Sequence, residues 1–105
     1  MAKEINDSEF NKEVINSKKP VLIDFWAEWC GPCKILTPII DQLSEEMKST
    51  IKIVKMDIDA NPDSPSALGV RSIPTLIIFK NGKQVASKVG AHPKKALEKW
   101  INSSL

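Results

Sequence analysis

The sequence contains few cysteines and histidines, and its basic residues form no long run. Its 105 residues include two cysteines, one histidine and no tyrosine. A structural zinc needs about four ligands, so a zinc site here would have to recruit carboxylates or a second chain. The 15 basic and 13 acidic residues are spread along the chain, giving a net charge of +2 and no basic run longer than a pair such as Lys18-Lys19. We therefore expect no resident metal and no nucleic-acid partner.

Long apolar stretches are also absent. No segment reaches the roughly 20 apolar residues of a membrane-spanning helix, and the first residues, Met1 to Asp7, lack the apolar core of a secretory signal. We therefore expect a cytoplasmic protein with no membrane association. The length, with 42% hydrophobic and 27% charged residues, predicts a single domain over residues 1–105 and, by default, a monomer.

The apolar pattern predicts strands that alternate with helices. Val21–Trp26 is apolar except for Asp24, which is typical of a strand buried on both faces. The other predicted elements are helices over 7–16 and 33–48, after Asn61-Pro62 and from about Pro93, and strands over 51–57, 75–80 and 84–89. Asn81-Gly82 indicates a hairpin between the last two strands. The result is an α/β protein with a central mixed sheet of four to five strands, flanked by about four helices.

The segment Cys30-Gly31-Pro32-Cys33 joins the first buried strand to the following helix. Two thiols at this spacing can close a disulfide across one turn and reopen it without moving the scaffold. Unpaired N–H groups at the start of the helix favour a thiolate at the nearer cysteine, and Pro32 suits a first-turn position. We predict that Cys30 is an exposed nucleophile and that Cys33 resolves the mixed disulfide formed on it.

A zinc site and a purely structural disulfide are the alternatives to redox chemistry. Besides the two cysteines, the only other soft ligand is the distant His92. A structural disulfide that closes so short a loop would constrain little of the unfolded chain. The strand-to-helix position of the pair favours redox chemistry over both.

Two residues outside the cysteine pair carry predictions of their own. Desolvation within a buried strand would raise the pKa of Asp24 and let it exchange a proton near neutrality. The alternative, an aspartate that points outward from a strand edge, is disfavoured because a strand buried on both faces has no solvent side. For Pro74, sequence alone predicts a trans Ile73–Pro74 bond, the usual state before proline.

Two segments resemble the thioredoxin family, and the similarity extends over almost the whole chain. They are Phe25-Trp26-Ala27-Glu28-Trp29-Cys30-Gly31-Pro32-Cys33-Lys34 and Arg71-Ser72-Ile73-Pro74-Thr75-Leu76. The resemblance implies the thioredoxin fold and a general protein-disulfide reductase. It implies no bound cofactor, and re-reduction by a flavin-containing thioredoxin reductase that draws on NADPH. Targets such as ribonucleotide reductase are implied as well, and Gly31-Pro32 between the cysteines implies a reductant rather than an oxidant.

The resemblance also implies roles for individual residues. Asp24 would help to deprotonate Cys33 through water, with Lys55 nearby on the next strand. Trp26 would support the active-site loop, and Pro74 would be cis and lie against the cysteines, which reverses the expectation from sequence alone. The implied apolar rim for substrates consists of Trp29, Pro32, Ile73, Gly90 and Ala91.

Some features depart from the family pattern, and other functions remain possible. Leu68 stands where many relatives have an aromatic residue, the chain lacks tyrosine, and His92 opens the last helix where a hydroxyl residue is usual. A redox-independent binding subunit of a larger assembly is the main alternative function. An oxidase or isomerase is the other, and a strongly reducing potential would exclude it.

Overall fold

The computed structural model describes all residues, Met1–Leu105, and contains a five-stranded mixed sheet. Its strands are β1 (Lys3–Glu4), β2 (Val21–Trp26), β3 (Lys52–Asp57), β4 (Thr75–Lys80) and β5 (Lys83–Val89). Their spatial order is β1-β3-β2-β4-β5. β3 runs parallel to β1 and β2, whereas β4 is antiparallel to β2 and β5. The mixed sheet of the predicted α/β fold is confirmed.

Three α-helices and two short helical turns accompany the sheet. The helices are α1 (Gly31–Glu46), α2 (Asp63–Ala67) and α3 (Lys94–Ser104). The helix predicted over 7–16 forms instead as a 3₁₀ turn over Asp7–Glu9 and a π-helical turn over Asn11–Ile15. So short a segment has little helical stability of its own, and here packing of Phe10, Val14 and Ile15 against the sheet accompanies the irregular geometry.

Each face of the sheet has its own apolar core. On one face, α1 and α3 pack over Leu22, Ile53, Leu76 and Ile78. On the other face, the N-terminal turns and the segment after α2 pack over a second set, which includes Val21, Ile23, Phe25, Ile77 and Phe79. With both faces covered, the strands at the centre of the sheet are mostly buried. The carboxyl end of β2 leads directly to the start of α1.

The hairpin between β4 and β5 turns at Asn81-Gly82, as predicted. Gly82 has φ +77°, and a Cβ built there would lie 3.0 Å from the Ile15 carbonyl oxygen. Gly69 has a similar φ of +72° but open space around it. A left-handed conformation costs a residue with a Cβ about 1 kcal/mol, and a backbone contact adds to that cost.

We expect Gly82→Ala to lower the free energy of unfolding by about 2 kcal/mol, and Gly69→Ala by about 1 kcal/mol. Urea unfolding of both variants measures the difference, because the two share the conformational cost and only Gly82 has the contact with Ile15. Equal losses would show that the β4–β5 turn moves away from Ile15 at no cost.

Candidate redox site

Cys30 and Cys33 form a disulfide at the start of α1. Their Cα atoms are 5.3 Å apart, within the range that a disulfide spans. Cys30 is the N-cap of the helix, and the Cys33 N–H donates a hydrogen bond to Cys30 Sγ over 3.2 Å. A backbone donor at the positive end of a helix stabilises negative charge on that sulfur once the disulfide opens.

The prediction that Cys30 is exposed is wrong. The residue retains 4% of its accessible surface and Cys33 retains 2%. Both pack with Ala27 in a small cluster against Trp26, Ile58 and Ile73. The sequence pattern placed Cys30 correctly before the helix. It could not show that the loops containing Ile58 and Ile73 pack against the cysteines. A partner must therefore approach closely to reach it.

A cis peptide bond joins Ile73 to Pro74, as the resemblance implied and contrary to the expectation from sequence alone. The Ile73 carbonyl oxygen lies 3.8 Å from Cys30 Sγ. Pro74 is buried, and its own carbonyl accepts a hydrogen bond of 2.8 Å from the Gly90 N–H. The two loops that contain Ile73 and Gly90 are thus tied together beside the cysteines.

The predicted rim residues differ in exposure. Trp29 is 68% exposed, and Gly31, Pro32 and Ala91 are also exposed, whereas Ile73 and Gly90 are half-buried. The Trp29 indole N–H donates to Asp59 Oδ2 over 2.8 Å, which fixes the ring.

A groove of about 510 Å³ runs beside this rim. Trp29 and Ile73 line it together with Ile58, Val70 and Arg71. Sequence analysis missed Ile58 and gave Arg71 no role. The signal for Ile58 was its position directly after β3, since loops at the carboxyl ends of parallel strands meet at one edge of a sheet.

Asp24 is buried in the middle of β2. It retains 1% of its surface, and neither carboxylate oxygen has a hydrogen-bond partner. Burial raises the pKa of Asp24 to about 7, an increase opposed by the charge of Lys55 and reinforced by Glu4 and Asp41. A carboxyl with that pKa can hold or release a proton at neutral pH.

Lys55 of β3 is paired with Asp24 of β2 in the register of these two adjacent strands. Its ammonium nevertheless makes its ion pair with Asp41 of α1, at 3.6 Å. Lys55 and Cys33 both line a cavity of about 350 Å³, together with Trp26 and Thr37. The cavity brings Cys33 and Lys55 to one space.

Trp26 closes one side of that cavity. It is half-buried, and its indole N–H donates to Glu4 Oε2 over 3.1 Å. The bond ties the end of β2 to β1, next to the cysteine loop.

No group of three or more His, Cys, Asp or Glu side chains is placed to hold a metal ion. None of the helices combines the length and apolar character needed to cross a bilayer.

Comparison with known proteins identifies the family. The thioredoxin family model matches residues 1–103. The chain belongs to the thioredoxin family. It is 57% identical to a thioredoxin of Rickettsia felis and 56% identical to one of Rickettsia conorii, each over 100% of both chains. A thioredoxin of Haemophilus influenzae is 52% identical, over 96% of this chain and 94% of the relative.

Family membership and the cysteine geometry together establish the chemistry. A thioredoxin with a Cys30–Cys33 pair at disulfide distance is a thiol–disulfide oxidoreductase that reduces disulfides. The redox-active group is the disulfide itself.

Leu68 and His92, the two residues noted above as departures from the family pattern, make contacts in different parts of the fold. Leu68 packs against the apolar core on the face of the sheet opposite α1. His92 is half-buried, and its Nε2 lies 2.9 Å from the Val89 carbonyl oxygen. His92 thus contacts the loop that holds Gly90.

Proposed function

We propose that the chain is a general protein-disulfide reductase of the cytoplasm, with Cys30 as nucleophile and Cys33 as resolving thiol. The observation that carries this assignment is the hydrogen bond from the Cys33 N–H to Cys30 Sγ at the start of α1. Only Cys30 receives a backbone donor in this way, so the thiolate is better stabilised there than at Cys33.

The reaction begins when the Cys30 thiolate attacks one sulfur of a substrate disulfide. A new S–S bond joins Cys30 to the substrate, and the other substrate sulfur leaves as a thiolate that takes up a proton. The Cys33 thiolate then attacks Cys30 Sγ and displaces the second substrate sulfur. The substrate gains two electrons and two protons, and the Cys30–Cys33 disulfide is formed.

Asp24 and Lys55 are proposed to serve the second step. Cys33 must lose its proton before it attacks, and it is buried away from bulk solvent. Asp24 has a pKa of about 7 because of its burial, so its carboxylate is a stronger base than an ordinary aspartate. We infer that it accepts the Cys33 proton through a water molecule. Lys55, the register partner of Asp24, lines the same cavity as Cys33.

Substrates are proposed to bind as an extended segment along the Ile73 loop. The N–H and carbonyl of Ile73 make no hydrogen bond to other backbone groups, so they are available to pair with an added strand. The exposed Trp29, Pro32 and Ala91, with the half-buried Ile73 and Gly90, would provide the apolar contacts. Backbone pairing of this kind suits a reductase with many substrates, because it does not depend on their side chains.

The electron source and the partners follow from the family. We propose that a thioredoxin reductase returns the disulfide to the dithiol at the expense of NADPH, and that the targets include ribonucleotide reductase. Nothing in this scheme requires a second copy of the chain, and we propose that it acts as a monomer.

The test is NADPH-dependent reduction of insulin disulfides with a thioredoxin reductase present. We expect NADPH oxidation and insulin precipitation that both depend on this protein, and equal activity when dithiothreitol replaces the reductase system. A folded, fully reduced protein that leaves insulin intact in both assays would reject the reductase and favour a binding subunit. If this protein reduces insulin with dithiothreitol as the electron donor but not with NADPH and the reductase, only the proposed electron source is contradicted.

A further inference from the structure

Three carboxylates surround one ammonium group on the face of the sheet that α1 covers. Lys55 lies at the centre, because it is the register partner of Glu4 in β1 and of Asp24 in β2. Directly paired residues of adjacent strands point to the same side of a sheet, so all three side chains are on this face. Asp41 approaches Lys55 from α1.

The ammonium pairs with only one of the three. Its ion pair with Asp41 is 3.6 Å long. Glu4 instead accepts the Trp26 indole N–H, and both oxygens of Asp24 are without a hydrogen-bond partner. The one positive charge near the buried aspartate is therefore held by a different carboxylate.

Asp41 is fixed independently of Lys55. The same oxygen that faces the ammonium, Oδ1, accepts a hydrogen bond of 3.0 Å from the Ala2 N–H. Ala2 is buried in the core beneath α1, and Asp41 itself is on a sixteen-residue helix. A carboxylate with these restraints provides a stationary counter-ion for a flexible lysine side chain.

We propose that Asp41 is a positioning residue that keeps the Lys55 ammonium from forming an ion pair with Asp24, so that Asp24 keeps the basicity needed to take the proton of Cys33. The proposal rests on the proposed role of Asp24 in the second step. A cation that moves to within about 4–6 Å of a carboxylate favours its charged form and weakens it as a base. Loss of Asp41 would allow Lys55 to make that move, and would also remove a negative charge that opposes ionisation of Asp24.

The side chains on the same face of the sheet as Asp24 come from β1, β3 and β4 and from the helices α1 and α3. The charged ones are Glu4 from β1, Lys55 and, at the strand end, Asp57 from β3, and Asp41 from α1. β4 presents the apolar Leu76 as the register partner of Asp24, and α3 contributes Leu97 and Ile101. Lys55 is thus the cation whose position can change.

The test is titration of the Asp24 carboxyl by carbon-13 NMR in the oxidised protein, where neither cysteine ionises. Asp41→Asn should lower the midpoint by about one pH unit. The amide keeps an oxygen for the Ala2 N–H, so the fold should be retained. Asp41→Glu, which keeps the carboxylate, should restore the midpoint to near the parent value and serves as a second measurement if the asparagine variant is unstable.

Two matched variants show whether Asp41 acts by positioning Lys55 or only through its own negative charge. Glu45→Gln removes a carboxylate from the same helix, one that pairs with the chain's amino group rather than with Lys55, and it should leave the midpoint nearly unchanged. In a Lys55→Met background, Asp41→Asn should shift the midpoint by less than half as much. A full shift without Lys55, or no shift in its presence, would overturn the proposal.

The readout also separates this proposal from the reductase assignment. Titration of the oxidised protein needs neither substrate nor reductase, so the role of Asp41 can fail while insulin reduction succeeds. If the midpoint shifts as expected but the pH profile of mixed-disulfide resolution does not follow it, then Asp24 is not the base for Cys33, and the part of the proposal that concerns catalysis is overturned.

Discussion

The difference in free energy of unfolding between Asp24→Asn and the parent protein should change by about 4 kcal/mol in favour of the variant as the pH rises from 4 to 8. The cause is the burial of the parent carboxyl, which has a pKa of about 7 in the folded protein against an ordinary value of 3.8. Well below pH 3.8 the carboxyl is protonated in both states and adds no pH dependence to the stability. Between pH 4 and 7 the unfolded chain releases the proton while the folded protein keeps it, so the stability of the parent falls.

Above pH 7 the folded protein also releases this proton, and the loss reaches its limit. The asparagine variant has no such proton, so its stability lacks this contribution at every pH. Any constant cost of burying the amide cancels when the two proteins are compared across the pH range.

Chemical unfolding of the oxidised proteins at several pH values measures this difference. Glu28→Gln is the matched control, because it exchanges a carboxylate for an amide at an exposed position beside the same site. We expect the change of about 4 kcal/mol with pH for Asp24→Asn and not for this control. A similarly flat result for Asp24→Asn would mean that the buried carboxyl finds a partner and ionises at an ordinary pH.

Cys30→Ser should reduce insulin turnover at least a thousandfold, whereas Cys33→Ser should stall with substrate covalently attached to Cys30. The first variant has no thiolate where the Cys33 N–H points, and a hydroxyl is a very poor nucleophile at neutral pH. The second retains that thiolate, but it lacks the sulfur that would displace the substrate.

Mass spectrometry of each variant after incubation with oxidised substrate distinguishes the outcomes. Cys33→Ser should carry one added substrate thiol that dithiothreitol removes, and Cys30→Ser should carry none. Circular dichroism controls for folding. Adduct formation on Cys33 at comparable rates in Cys30→Ser would reverse the assigned roles of the two cysteines.

Local sequence patterns predicted the elements that are long and uniform. The bounds of β2 match the apolar run Val21–Trp26 without error, and α1 differs from the expected range by two residues at each end. β1 was not predicted, because its two residues form a strand only through pairing with β3, which gives no periodic signal. The segment 7–16 begins with a capping box between Asn6 and Glu9, but packing rather than propensity decides its later geometry.

The site was predictable where it depends on neighbours in the chain, and not where distant loops meet. The cysteine spacing and the burial of Asp24 follow from positions within β2 and the following turn. Burial of Cys30 depends on the loops of Ile58 and Ile73, about 30 and 40 residues away. The pairing of Lys55 with Asp41 likewise arises because α1 folds back over β3, so only the structure reveals which carboxylate holds the ammonium.

The two edges of the sheet bear on how the protein behaves when concentrated. An unpaired strand edge can add a strand from another molecule and start aggregation. Here one edge is β1, only two residues long. The other edge, β5, has lysines at 83 and 88 and an irregular register opposite Ile78 and Phe79 that leaves Val85 unpaired. Short length, positive charge and a bulge each discourage sheet extension. The strand pairing proposed for substrates at the Ile73 loop is thus discouraged at both outer strands of the sheet.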